Sequence, residues 1–348
     1  MWSNKQRDGH SLHQVPYRAC FKPSLVNYFV EKFSAPGEWV YDPFSGRGTV
    51  PLEAALLGRK VIANDLNPLH IHLLEPRLAP PTLAEVEKRL ADLTLKLPER
   101  SVLPERMLAF FHPDTLEEIM ASMLLLRHTP VDRWIRLCIL TRLTGHSKGF
   151  LSVYTLPPNQ AVSVERQLKI NEKRGQTPEY RSVKEVVISK TKRLLRDPLP
   201  PEFSPLRILT VTDACFNKHV ADNSVNLVLT SPPFVSEVAY TDDNWLRNWF
   251  IREQPEKLDE NHGMETWAQF MSRVIADQWR VLVPGGRVCI EVGNVKAGML
   301  EQVIAGLLME HGFGKVNILD QEHAASKTSS IWGVSAGTNR SYIVNAEK

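Results

Sequence analysis

The chain has little of what would tie it to a secreted or metal-built scaffold. Its four cysteines, Cys20, Cys138, Cys215 and Cys289, lie far apart and form no C-x-x-C pair. That excludes a disulfide framework and a zinc site, and fits a reducing cytoplasm. The first residues, MWSNKQRDGHSLHQ, lack the apolar centre of a signal peptide, and the longest apolar run, around Met123 to Leu126, is far too short to span a bilayer. No internal repeat is evident. There is no G-x-x-x-x-G-K-[ST] phosphate loop, and Pro51 stands where the third glycine of a dinucleotide fingerprint would be. Net charge is also small, +3 over 348 residues, but it is unevenly spread. Glu165 to Arg196 carries ten Lys and Arg against four acids, a local +6 that leaves the remainder at −3.

What is present is the composition of a globular protein, 43% hydrophobic and 23% charged. Short β-branched runs occur at Trp39–Asp42, Lys60–Asp65, Leu206–Asp213, Val225–Thr230, Gly286–Val292, Val316–Asp320 and Ser341–Asn345. Several are followed by helical patterns, which predicts a parallel α/β sheet. Thr49-Val50-Pro51 opens one helix, with Thr49 as its expected N-cap and Gly58 as its stop. A second helix carries Trp267, Phe270, Met271, Val274 and Ile275 on one stripe, which reads as core packing. The alternation breaks between about Pro80 and Pro205, where proline clusters bracket helical patterns at Leu83–Leu97, Leu116–Leu126 and Trp134–Thr144. This is an insertion that leaves the sheet and returns to it, and the basic stretch lies inside it. His70 and His72, with no carboxylate or cysteine beside them, read as structural.

Four features follow strands, where open parallel sheets bind ligands. Gly46 and Gly48 allow a tight turn after the first strand and a close ligand approach, although many such turns use glycine for geometry alone. Asp65 comes nineteen residues after Gly46, at the spacing of a carboxylate that grips a ribose diol. Asp213 closes the third strand and could accept from an exocyclic amine; either aspartate by itself could be a turn residue. Ser231-Pro232-Pro233-Phe234 ends the fourth strand, and its two prolines fix two φ angles and remove two donors.

These residues resemble those of S-adenosylmethionine-dependent DNA methyltransferases that modify an exocyclic amino group. Asp42-Pro43-Phe44-Ser45-Gly46-Arg47-Gly48-Thr49 looks like the family's cofactor loop, and Ser231 to Phe234 like its [DNS]-P-P-[YFW] tetrapeptide. Lys22-Pro23-Ser24-Leu25 is similar to its K-P-x-L segment, and LVPGGRVCIEVGN to the strand beside its active site. The resemblance covers Tyr17–Pro80 and Leu206–Lys348. It implies a Rossmann-like seven-stranded α/β sheet as catalytic domain (1–80 and 206–348), with 81–205 as a mostly helical target-recognition insertion. It also implies S-adenosyl-L-methionine held by Lys22, Pro23, Asp42, Phe44, Gly46, Gly48, Thr49, Asp65, Asn67, Asp213 and Ala214. Catalysis falls to Ser231, Pro232, Pro233 and Phe234. Lys173, Arg174, Arg181, Lys190 and Arg193 become candidates for phosphate contacts, against the alternative of a solvated helical face.

An aromatic amine is a weak nucleophile because its lone pair is delocalised into the ring. If Ser231 Oγ and the Pro232 carbonyl accept its two N–H groups, the lone pair can face a sulfonium methyl, and orientation supplies most of the catalysis. Phe234 would stack on a base swung out of the duplex; Tyr240, Trp245 and Trp249 either wall that pocket or pack in the core. Serine at the first position is, within the family, more often associated with cytosine-N4 than adenine-N6 transfer. No Pro-Cys dipeptide exists to supply the thiolate a cytosine-C5 enzyme needs. The expected function is therefore cytosine-N4 methylation of duplex DNA. Adenine-N6 methylation is the nearest alternative, then RNA methylation or a non-catalytic DNA-binding regulator. A companion restriction endonuclease would act as a separate protein, and the expected location is cytoplasmic and DNA-associated.

Overall fold

The computed structural model describes residues 9–348 apart from 19, 99–102, 156–159, 202, 234–239, 254–262, 294–298 and 323–339. All seven apolar runs become strands of one sheet: β1 Trp39–Asp42, β2 Lys60–Asn64, β3 Arg207–Thr210, β4 Val225–Thr230, β5 Leu282–Gly293, β6 Gly314–Glu322 and β7 Arg340–Glu347. Their order is β3-β2-β1-β4-β5-β7-β6. β1 to β5 are mutually parallel, and β7 runs antiparallel between β5 and β6. β3 stops at Thr210, short of the expected Asp213, because the Thr212 amide and carbonyl bond the buried side chain of Asn64 instead of a strand ladder.

Alternating side chains along each strand feed opposite faces of the sheet. Val40, Val61, Ala63, Leu227, Leu229, Cys289 and Ile343 enter one hydrophobic cluster. Their neighbours Tyr41, Ile62, Val228, Val288, Ile290 and Val344 enter a second. Helices cover both: α1 (Pro23–Phe33) and α2 (Thr49–Leu56) on the first face, α10 (Met264–Val281) and α11 (Leu300–Glu310) on the second. The stripe read along α10 is buried at Trp267, Met271, Val274 and Ile275. A doubly covered parallel sheet of this kind is Rossmann-like, as expected.

Between β2 and β3 the chain runs through α3 (Leu69–Leu78) and then α4 (Leu83–Asp92), α5 (Pro113–Leu125), α6 (Pro130–Leu140), α7 (Val164–Arg174) and α8 (Val183–Leu194). The insertion is mostly helical, but its apolar residues (Val86, Leu90, Leu116, Ile119, Trp134, Val187, Leu194) belong to the same cluster as the first sheet face. It therefore extends that core and shares it with the sheet. α5 and α6 begin before their expected starts, because Pro113 and Pro130 are the first helical residues after His112 and Thr129 caps. α4 ends early: Leu93, Leu95 and Leu97 are buried in alternation with exposed neighbours, which is an extended pattern. α9 (Tyr240–Ile251) follows the prolyl turn. Among the described residues, no helix is long and apolar enough to cross a membrane.

Candidate active site

Strand order reverses between β1 and β4, so the chain leaves these neighbours in opposite directions and opens a crevice at their carboxyl ends. The turn after β1 takes two left-handed residues, Gly46 at φ 49° and Gly48 at φ 79°. A Cβ on Gly46 would meet the Tyr17 ring at 3.3 Å, and one on Gly48 would meet Leu74 Cδ1 at 2.6 Å. Gly48, not Thr49, is the N-cap of α2; Thr49 is its first helical residue, and its Oγ1 accepts from Arg47 Nε. A glycine is needed there because the cap residue is left-handed.

Carboxyl groups hold this turn. Asp65 accepts from the Gly46 amide at 2.8 Å and from the Asn67 amide at 2.9 Å. Burial pushes its pKa up, opposed by those backbone donors. Asp42 is buried and accepts from the Phe44 amide at 3.1 Å and from Thr230 Oγ1 at 2.6 Å. Burial raises its pKa to about 7 against the pull of both donors. Asn64 joins the β1 and β3 loops through the Pro43 and Thr212 carbonyls. His70 is structural, as read: it pairs through Nδ1 with Ser45 Oγ and through Nε2 with the Thr210 carbonyl, and burial lowers its pKa to about 4. Asp213 is exposed and accepts from the Cys215 amide.

Ser231 and Pro233 line the same pocket as Asp42, Phe44, Gly46, Thr49, Asp65, Asn67, Asp213 and Ala214. Gly48 packs behind it on Leu74, and Pro232 is buried beneath the turn. The Pro233 carbonyl accepts from Trp267 Nε1 at 2.8 Å, so this stripe residue of α10 both packs the core and holds the tetrapeptide. Phe234 lies outside the described residues. Lys22 caps α1, which begins at Pro23, and its charged neighbour is Glu291 of β5. Trp245 donates to the Val162 carbonyl and Trp249 stacks edge-on to Phe250, so both serve packing; the side chain of Tyr240 is outside the described residues.

Tyr17, Cys20, Phe21 and Phe270 also line the pocket and carried no motif. Phe270 comes from α10 on the second sheet face, whereas Tyr17, Cys20 and Phe21 follow the segment Leu12 to Pro16, whose carbonyls accept from four buried cations. Arg77 bonds Leu12 O, Arg47 bonds His13 O and Val15 O, Lys190 bonds Gln14 O, and Arg247 bonds Pro16 O. Lys190 is thus 1% exposed and is withdrawn as a phosphate ligand, since its ammonium is spent inside the fold. Arg181 bonds the Ser147 and Phe150 carbonyls. Lys173, Arg174 and Arg193 are exposed on α7 and α8, with the Arg174 guanidinium 3.8 Å from the Tyr154 ring centre.

Fold and pocket together define a Rossmann-like protein whose ligand pocket contains a serine-prolyl turn. Residues 1–75 match the family described as DNA methylase, which bears out the resemblance to S-adenosylmethionine-dependent DNA amino-methyltransferases. The chain is similar to the type II methyltransferase M.MjaII of Methanocaldococcus jannaschii, 31% identical over 99 residues, which are 28% of this chain and 19% of that protein. It thus spans about a fifth of that relative's length. Among solved structures, a candidate DNA modification methylase of Thermus thermophilus, TTHA0409, is 26% identical over 37% of this chain and 46% of its own, with a TM-score of 0.23. A SAM-dependent methyltransferase of Methanosarcina mazei covers 92% of this chain and 96% of its own at 11% identity and a TM-score of 0.39. Superpositions this loose add nothing to the strand order, which carries the fold by itself.

Proposed function

We propose that this chain methylates an exocyclic amino group of DNA with S-adenosyl-L-methionine, and that the target is cytosine N4. The observation that carries the proposal is a single pocket lined by the glycine turn and its carboxylates on one side and by Ser231 and Pro233 on the other. The pocket fits the cofactor on chemical grounds. Gly46 leaves open backbone beside Tyr17, Asp65 and Asp213 are acceptors for hydroxyl and amine donors, and Phe44 and Phe270, 6.0 Å apart, offer apolar faces. When bound, S-adenosylmethionine supplies an electrophilic sulfonium methyl.

The chain's own residues do the orienting. Ser231 Oγ and the Pro232 carbonyl accept the two amine hydrogens, and the prolines keep both acceptors still. Trp267 fixes the turn from behind through Pro233. Phe234 is assigned to base stacking by the tetrapeptide alone. Lys173, Arg174 and Arg193 form the proposed phosphate-contacting face, and the region 81–205 is the proposed target-recognition segment. Serine at the head of the turn supports cytosine N4 over adenine N6.

Incubating the protein with methyl-labelled cofactor and mixed DNA, then digesting to nucleosides and weighing them, tests the reading. N4-methylcytosine is expected, with Ser231→Ala lowering the rate about a hundredfold or more while cofactor still binds. N6-methyladenine would replace the target assignment, and full activity of Ser231→Ala would remove the proposed role of that hydroxyl.

A further inference from the structure

Among the described residues, every buried arginine but one donates to a carbonyl. Arg47 bonds His13 O, Arg59 bonds Ser34 O, Arg77 bonds Leu12 O, Arg136 bonds Leu126 O and Arg247 bonds Pro16 O. The exception is Arg142, which is 6% exposed, yet among the described residues its guanidinium has neither a hydrogen-bond acceptor nor an ion pair. It lies just past the end of α6, with its Cζ 4.6 Å from the centre of the Phe150 ring. That ring is held in place from two sides: a Cβ on Gly145 would meet it at 2.4 Å, and Arg181 bonds the Ser147 and Phe150 carbonyls at 3.0 Å. Stacking satisfies the face of a guanidinium and leaves the N–H donors along its edge. No acid answers this charge. Cys138, four residues before Arg142, meets Thr191 Oγ1 at 3.6 Å, which sets Arg142 beside the part of α8 that carries Lys190 and Arg193. Burial raises the Cys138 pKa to about 11, so its thiol is neutral. Lys190 is spent on the Gln14 carbonyl, and the charge that bears on Arg142 is Arg193, already placed on the phosphate-contacting face. The loop tip that follows, His146-Ser147-Lys148-Gly149, is exposed.

We propose that Arg142, with Lys148 at the rim, binds one phosphate group, and that this group is a diester of the nucleic-acid backbone; the choice of nucleic acid rests on the function proposed above. A cation taken out of water without a partner is unfavourable, and an incoming anion removes that penalty. The guanidinium edge presents parallel donors that fit two phosphate oxygens, a geometry an ammonium lacks. Phe150 already holds the fork in one plane, so little side-chain freedom is lost on binding. Arg193 and the exposed loop tip surround the site with further positive charge, and counterions leave as the phosphate enters. A purely structural Arg142 would only prop the loop on Phe150.

Two measurements on the full chain separate these. The first uses nitrogen-labelled arginine without cofactor, the Arg142 Nε–H resonance being identified by its through-space contact with the Phe150 ring. A short DNA duplex is expected to shift that resonance, sodium pyrophosphate to shift it more weakly, and sodium chloride at equal ionic strength to leave it in place. No shift with duplex or pyrophosphate overturns the site, as does an equal shift with chloride. A shift with pyrophosphate alone overturns the assignment to nucleic acid and makes the ligand a free phosphate. The second measurement is duplex affinity across a salt series. Arg142→Gln should lower the slope of log affinity against log salt by about 0.9, the loss of one contact. Arg142→Lys, which keeps the charge without the fork, should keep the slope and bind about tenfold more weakly. A wild-type slope in Arg142→Gln, or the same lowered slope in Arg142→Lys, overturns the contact. If neither variant folds, Lys148→Gln on the exposed loop should lower the slope by about 0.9, and an unchanged slope there overturns the site. Single-turnover methyl transfer distinguishes a failure of the site from a failure of the function. No transfer to any DNA, with the Arg142 resonance still moved by duplex, overturns methylation alone, whereas an active enzyme whose Arg142 resonance ignores the duplex overturns this site alone.

Discussion

Gly48 shows how one missing Cβ can decide both folding and binding. Its φ of 79° is the left-handed region, where a side chain costs about 1–2 kcal/mol. An added Cβ would also lie 2.6 Å from Leu74 Cδ1, so the turn or α3 must shift. Gly48→Ala is expected to destabilise the protein by about 2–4 kcal/mol in urea unfolding, the sum of that strain and an overpacking cost. Gly46→Ala should cost less stability, since its Cβ meets only the edge of the Tyr17 ring at 3.3 Å, yet it should weaken cofactor binding more because Gly46 itself lines the pocket. Calorimetric titration of cofactor into both variants checks the ordering; equal losses of affinity would show that the two glycines serve geometry alone.

At the level of elements, the segment from Leu12 to Pro16 behaves as a strap fastened by cations from the turn before α2 and from α3, α8 and α9. Arg77 is fully buried and spreads its donors over the Leu73, Leu12 and Arg47 carbonyls, so it joins α3, the strap and the glycine turn. Burial lowers its pKa to about 9, which measures how unfavourable that site is for a charge. Arg77→Met removes the desolvated charge but strands buried carbonyls, at about 1–3 kcal/mol each. We expect a net loss of about 2–4 kcal/mol, with faster amide exchange at residues 12–17 and weaker cofactor binding through Tyr17. Hydrogen exchange resolved by peptide checks this, and protection unchanged over that segment would refute the strap. None of this was legible in the sequence. Strands announce themselves by β-branched runs and α10 by its stripe, because both patterns are local. A strap held by side-chain donors from four separate elements has no local period. The pocket divides in the same way: Gly46, Asp65, Asp213 and Ser231 were found because they follow strands, while Tyr17 and Phe270 reach the site only through packing.

For the whole molecule, the uneven charge of the sequence becomes a question of which cations face solvent. Ten Lys and Arg between Glu165 and Arg196 looked equivalent in one dimension. The helical period and the shared core separate them: Lys190 points inward to the Gln14 carbonyl, whereas Lys173, Arg174 and Arg193 remain outside. Phosphate binding releases counterions only where a cation meets the nucleic acid, so affinity falls with salt at a slope of about 0.9 per contact. Replacing Lys173, Arg174 and Arg193 by glutamine is expected to reduce the slope of log affinity against log salt by about two to three, with thermal stability within about 1 kcal/mol of wild type. Lys190→Met should do the reverse. It alters a buried hydrogen bond and an unfavourably placed ammonium, whose pKa burial drives well below the ordinary lysine range, so stability changes and the salt slope does not. Fluorescence anisotropy with a labelled duplex across a salt series, alongside urea unfolding, measures both quantities. A slope unchanged by the triple replacement would overturn the proposed phosphate-contacting face, and a slope lowered by Lys190→Met would count against the placing of that ammonium inside the strap.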